Sequence, residues 1–163
     1  MRRLNALLYQ GLRLALTLLM ILLMVPIVLQ IVSRFSPAIP HFIWTEEVAR
    51  FCFIWVIMIG AMIAVRDDTH FSLDIWKPAE NPRTRALQGL WVHVAMLLLA
   101  LIFAGFGVRF AQFGYAQSSE LTGLNMLAVH AAWPLAGVVF ILFLTEKIAD
   151  DVALMRRHPH GRR

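Results

Sequence analysis

A single cysteine, Cys52, leaves this chain without an intrachain disulfide and without a Cys-x-x-Cys pair for metal or redox chemistry. Charge is scarce as well: Asp, Glu, Lys and Arg supply 15% of 163 residues, against about 25% in ordinary soluble domains. The sequence contains no Gly-rich loop ending in Lys-Ser/Thr, no His-Glu-x-x-His and no recognisable nucleophile and base spacing, so no catalysis is expected. Internal repeats, low-complexity tracts and Gly-Ser linkers are also missing, and the length suits one domain rather than a two-domain enzyme. What the chain has in excess is apolar residues, 60% of the total, and their distribution decides the fold class.

They come in long uncharged blocks. Leu14 to Val32, Phe51 to Val65, Leu87 to Val108 and Leu121 to Thr145 hold 19, 15, 22 and 25 residues without a charge. Crossing about 30 Å of hydrocarbon takes about 20 residues at 1.5 Å each. Three blocks reach or approach that length, and the second does so when extended back through Ile43 to Arg50. The reading is an all-α integral membrane protein, one domain over residues 1–163, with four transmembrane helices at about 12–33, 43–65, 87–113 and 122–146. Arg2 and Arg3 before an apolar stretch could open a signal peptide. The stretch is too long for that, however, and Ser33-Arg34-Phe35-Ser36-Pro37 replaces a small-residue cleavage site, so the first helix is expected to be retained. Pro26 removes one backbone donor, which neighbouring helices can compensate. Leu4, Leu7, Leu8 and Leu12 share one helical face beside Arg2, Arg3 and Arg13, a pattern open to either an interfacial N-terminal helix or a frayed, snorkelling start. Residues 66–86, with Asn81, Pro78 and Pro82 as turn signals, are too few for a further domain. Cys52 reads as a core residue.

Lys and Arg beside the spans fix the expected orientation. Arg2, Arg3 and Arg13, then Arg66, Lys77, Arg83 and Arg85, then Lys147, Arg156, Arg157, Arg162 and Arg163 fall on one side, twelve of the fifteen basic residues. Both termini are therefore expected in the cytoplasm. Topology also accounts for a pI of about 10.3 without nucleic acid as a partner.

Two polar concentrations interrupt this pattern. The second span opens with Trp44-Thr45-Glu46-Glu47-Val48-Ala49-Arg50, where Glu46 and Glu47 lie four and three residues before Arg50 and can meet it on the helix surface. Trp44 suits an aromatic belt. Either the cluster neutralises itself or a glutamate meets another base, and Arg109, arriving at the same level in the third span, is a candidate. Beyond the second span comes Arg66-Asp67-Asp68-Thr69-His70-Phe71-Ser72-Leu73-Asp74, which could be a proton relay or a polar cap where a helix ends. His93 and His130 raise a haem reading. Their depths differ by about 12 Å along the membrane normal, whereas ligands of one iron sit about 4 Å apart, so hydrogen bonding between helices or at an interface suits them better. Small residues recur four apart at Gly60 and Ala64, Ala100 and Ala104, Gly107 and Ala111, and Ala128, Ala132 and Ala136, as in helices packed closely within the chain or against another chain.

A stand-alone four-helix transporter acting as a homodimer is one functional class. It needs a carboxylate in the membrane and, for dual insertion, a balanced basic distribution, which this chain lacks. An accessory subunit of a larger membrane protein is the other.

At this point the residues resemble a known family. Trp44-x-Glu46-Glu47-x-x-Arg50, then Gly60-Ala61, Arg66 and His70-x-x-x-Asp74 look like the pattern of the small permease subunit, DctQ-like, of TRAP (tripartite ATP-independent periplasmic) transporters. The layout of four helices with both ends inside resembles that family along the whole chain, and Pro134 adds general similarity in the fourth span. The resemblance implies a bacterial inner-membrane complex. In it a large permease subunit carries sodium and an organic acid, such as a C4-dicarboxylate or a sialic acid, and a periplasmic substrate-binding protein delivers the acid. It implies no cofactor for the small subunit, whose expected role is to support the large one. The basic tail Arg156 to Arg163 is expected to end the chain, leaving the large subunit on a separate polypeptide. Glu46, Glu47 and Arg50 are then expected to hold the outer helix ends together or touch the partner, and Arg66, His70 and Asp74 to organise the cytoplasmic end.

Overall fold

The computed structural model describes residues 2–35, 42–67 and 82–157, together with residue 40. Within them the chain forms α1 (Arg2–Phe35), α2 (Trp44–Asp67), α3 (Pro82–Tyr115), a single turn α4 (Leu127–His130) and α5 (Ala132–Arg157). Each expected span is a helix, and four are long and apolar enough to cross a membrane, with α4 and α5 acting as one span over Leu127–Met155. Inside hydrocarbon, helices satisfy every backbone N–H and C=O within the segment, which is why the uncharged runs take this form.

Most helix ends overrun the expected spans, whereas the fourth span begins only at Leu127 instead of 122, because residues 122–126 belong to the turn before α4. The 34 residues of α1 extend about 51 Å, well beyond the hydrocarbon layer, and α1 continues unbroken through both Pro26 and the leucine-rich start. The leucine face divides: Leu8 and Leu12 pack against the core, while Leu4 and Leu7 face outward. The N-terminal segment is thus the first turns of a spanning helix, with no break to set off an interfacial one. At the fourth span, Pro134 near the start of α5 has no N–H to return to the preceding turn, and the helix is interrupted at Ala131 between α4 and α5.

The helices stand in a row. α1 packs along α2, α2 along α5, and α5 along α3; α1 meets α5 only slightly, and among the described residues α3 touches neither α1 nor α2. The core runs through the middle of that row, with Met62 and Val65 of α2, Ala100 of α3, and Ala136, Phe140, Phe143 and Leu144 of α5. Phe103 and Phe140 meet with ring centres 6.2 Å apart.

Lipid chains are as apolar as leucine, so burial alone does not drive membrane helices together; close packing does. The closest packing lies between α3 and α5. Ala100, Ala132 and Ala136 are fully buried, and a methyl group added at Gly137 would stand 2.4 Å from the Ala104 backbone nitrogen. One added at Gly107 would stand 2.7 Å from the Pro134 nitrogen. The small-residue rows of the third and fourth spans are therefore the contact surface. Gly60 in α2 differs, since nothing lies within 4 Å of a methyl group built there. Gly137→Ala should accordingly lower stability by about 1–3 kcal/mol, and Gly60→Ala should leave it unchanged or raise it by up to about 1 kcal/mol. Thermal melting in mild detergent, followed by circular dichroism, checks the contrast.

Candidate functional site

Polar side chains gather at the two ends of the row. At one end the start of α2 meets the connection between α3 and α4. Thr45 is buried and donates its hydroxyl to the Phe42 carbonyl at 2.6 Å. Glu47, one turn into α2, accepts a hydrogen bond from the Ser119 hydroxyl and another from the Thr122 backbone N–H at 2.9 Å. A carboxylate there also has the favourable end of the helix dipole beside it.

The connection is itself ordered by short-range bonds. Ser119 N–H donates to the Leu124 carbonyl at 2.8 Å, Met126 N–H to the Gln117 carbonyl at 3.0 Å, and Ser118 and Asn125 form an isolated antiparallel bridge. Gly123 adopts φ +68°, a conformation that side chains resist, and so closes the turn. Asn125 accepts from Leu127 N–H at 2.8 Å and donates to the Tyr115 carbonyl at 3.0 Å, joining both helix ends. The Trp55 indole donates to the Ala128 carbonyl at 2.9 Å, close to the break between α4 and α5.

The opposite end carries the start of α1 and the end of α5. Arg66, on the last turn of α2, donates to the Asn5 carbonyl of α1 and lies over the Tyr9 ring at 4.6 Å and the Phe143 ring at 5.4 Å. Tyr9 donates to Asp67 at 2.9 Å. The Asn5 amide donates to Glu146 and to the Leu142 carbonyl of α5. Asn5, Tyr9, Arg66, Asp67 and Glu146 thus join three helices. The fourth is tied by His93 of α3, whose Nδ1 lies 2.6 Å from Asp151 of α5.

The residues singled out from sequence divide accordingly. Glu47 and Arg66 are internal ties. Glu46 and Arg50 are exposed, and among the described residues neither forms a side-chain ion pair, with each other or with Arg109. Trp44 is exposed, its ring centre 6.1 Å from that of Phe42. The expected meeting of Arg109 with Glu46 or Glu47 does not occur, because α2 and α3 are separated by α5 and Arg109 lies on an exposed face of α3. His70 and Asp74 lie outside the described residues. The two span histidines have separate surroundings: His93 meets Asp151, while buried His130 stacks on Phe110 at 4.0 Å with Trp133 edge-on.

Sequence reasoning missed Asn5, Tyr9, Ser119, Thr122, Glu146 and the pairing of His93 with Asp151. Asn5 carried a signal, a polar residue beside a leucine face. So did Ser118-Ser119 to Thr122-Gly123, a turn composition next to an apolar run. Among the described residues no three His, Cys, Asp or Glu side chains gather as a metal would need. Both Glu47 oxygens are occupied by donors of the chain, an arrangement that fastens a loop to a helix.

A fold of four membrane-length helices tied at both ends is that of a multi-pass membrane protein. Residues 23–154 match the family described as Tripartite ATP-independent periplasmic transporters, DctQ component, and the chain belongs to that family. It is 26% identical over 120 residues to the sialic acid TRAP transporter small permease protein SiaQ of Vibrio cholerae, covering 69% of this chain and 65% of that one. It is 26% identical over 118 residues to the sialic acid TRAP transporter permease protein SiaT of Haemophilus influenzae, and 25% identical over 114 residues to the isethionate TRAP transporter permease protein DctMQ of Oleidesulfovibrio alaskensis. These two alignments cover 71% and 69% of this chain but only 18% of each long relative. The chain thus spans about two-thirds of the short curated relative and under a fifth of the long ones.

If Glu47 anchors the connection, Glu47→Ala should raise amide hydrogen exchange over residues 117–124 several-fold, while Glu46→Ala leaves it unchanged. Equal exchange in both variants would show that the loop holds itself.

Proposed function

We propose that this chain is the small membrane subunit of a TRAP-type secondary transporter. In this reading it supports a large permease subunit in sodium-coupled uptake of an organic acid delivered by a periplasmic binding protein. The observation that carries the reading is the alignment to SiaT and DctMQ, permease chains in which a segment like this one occupies 18% of a much longer polypeptide. A segment joined covalently to a permease in some relatives suits a separate subunit docked on one in others. Sialic acid and isethionate, the acids in the names of those relatives, are the substrates to try first.

The structure suits a fixed frame. Glu47, Arg66, Asn5 and the pair of His93 and Asp151 are engaged within the chain. The open row of helices leaves broad apolar faces on α1 and α3 for lipid and a partner, and exposed Trp44, Glu46 and Arg50 stand at its rim. With both termini in the cytoplasm of a bacterial inner-membrane protein, as the distribution of Lys and Arg favours, this rim faces the periplasm, where a binding protein arrives.

Proteoliposomes test the assignment. This chain alone should give no uptake, and adding the large permease and the binding protein should give sodium-dependent uptake of an organic acid. Replacing Glu46 and Glu47 together by Gln should reduce complex yield or uptake several-fold. Uptake by this chain alone would favour the self-sufficient homodimeric transporter, and unchanged yield and transport in the double variant would remove the glutamates from assembly.

A further inference from the structure

Leu98, Leu101, Ile102, Gly105, Phe106 and Arg109 line a shallow outward groove of about 610 Å3 on α3. It lies across the helix from Ala100, Ala104 and Gly107, which face α5. Four of its apolar side chains are exposed, and Gly105 leaves its middle open, with nothing within 4 Å of a methyl group built there.

Arg109 is exposed and has no hydrogen-bond or ion-pair partner among the described residues. Its depth is set by the sequence. The 22 uncharged residues from Leu87 to Val108 cover about 33 Å at helical rise, which is the hydrocarbon thickness, and Arg109 follows at once. A guanidinium at that level reaches phosphate, whereas deeper in the layer it is costly. From Leu98 to Arg109 the groove runs about 16 Å along the helix, close to half the hydrocarbon layer, the reach of one leaflet.

We propose that this groove binds a glycerophospholipid, one acyl chain lying against Leu98 to Phe106 and the phosphodiester meeting Arg109. A cation at the level of the lipid phosphates and a groove about as long as one leaflet favour a lipid over a protein helix. The unpaired cation at the groove mouth supplies the charge complementarity that an acyl chain alone would not need.

The test uses the full chain in membranes with its co-purifying proteins. A phosphatidylglycerol carrying a diazirine in one acyl chain is photoactivated beside a diacylglycerol with the same chains, and labelled residues are mapped by mass spectrometry. The phospholipid should label the Leu98 to Phe106 stretch about fivefold more than the diacylglycerol, the preference expected of one arginine near the membrane surface. Arg109→Gln should remove that excess, Gly105→Leu should remove the labelling of the groove, and Arg34→Gln, at an exposed arginine of α1, should change neither. Equal labelling by both probes, or an excess that survives Arg109→Gln, would overturn the headgroup assignment. A protein crosslinked to this stretch in place of lipid would overturn the lipid site itself.

Discussion

Everything in this chain rests on backbone contact between α3 and α5. In an apolar solvent there is little to gain from burying leucine, so helices stay together where their backbones can come close enough for many small attractions to add. Gly107 and Gly137 allow that approach, each leaving no room for a methyl group, and Ala100, Ala132 and Ala136 extend it along the helices. The glycines are needed here for space, not for unusual backbone angles. α5 then presents its other side to α2, and α2 presents its own to α1, so the row grows outward from one pair.

A row has more exposed surface than a closed four-helix bundle, and polar ties at its ends compensate. Hydrogen bonds at helix ends are costly to leave unmade, and each tie here joins a helix to another helix or to the connection between α3 and α4. Arg66 illustrates the economy of the arrangement: its guanidinium meets a carbonyl of α1, covers Tyr9 of the same helix and rests on Phe143 of α5. At the other end Glu47 holds the connection between α3 and α4 against the start of α2. These ties brace the ends of the row while leaving the outward faces of α1 and α3 apolar, as suits the frame role proposed above.

Much of this was legible in the sequence because membrane crossing is a one-dimensional constraint. Uncharged runs located all four spans, and the rows of small residues in the third and fourth marked the α3 and α5 contact. The ends of the helices were less legible, since a helix continues past the hydrocarbon wherever its residues permit, as α1 does to Arg2. What sequence could not provide was the order of the helices across the membrane. Depth along the normal made Arg109 a plausible partner for Glu46 or Glu47, but depth carries no information about which helix stands between. The same limit hid Ser119 as the partner of Glu47, 72 residues away, and Asp151 as that of His93. Gly60 shows another limit: its spacing to Ala64 fitted a packing row, yet within this chain Gly60 has open space before it, and spacing does not say whether the neighbour is in the same chain.

If this chain is a frame for a larger permease, as proposed, the two should leave the membrane together. Affinity purification of the tagged chain from its native membrane in mild detergent, with mass identification and quantification of what accompanies it, tests that most directly. The account predicts one much larger polytopic membrane protein in equal amount. Recovery of the chain by itself as a stable homodimer would contradict it.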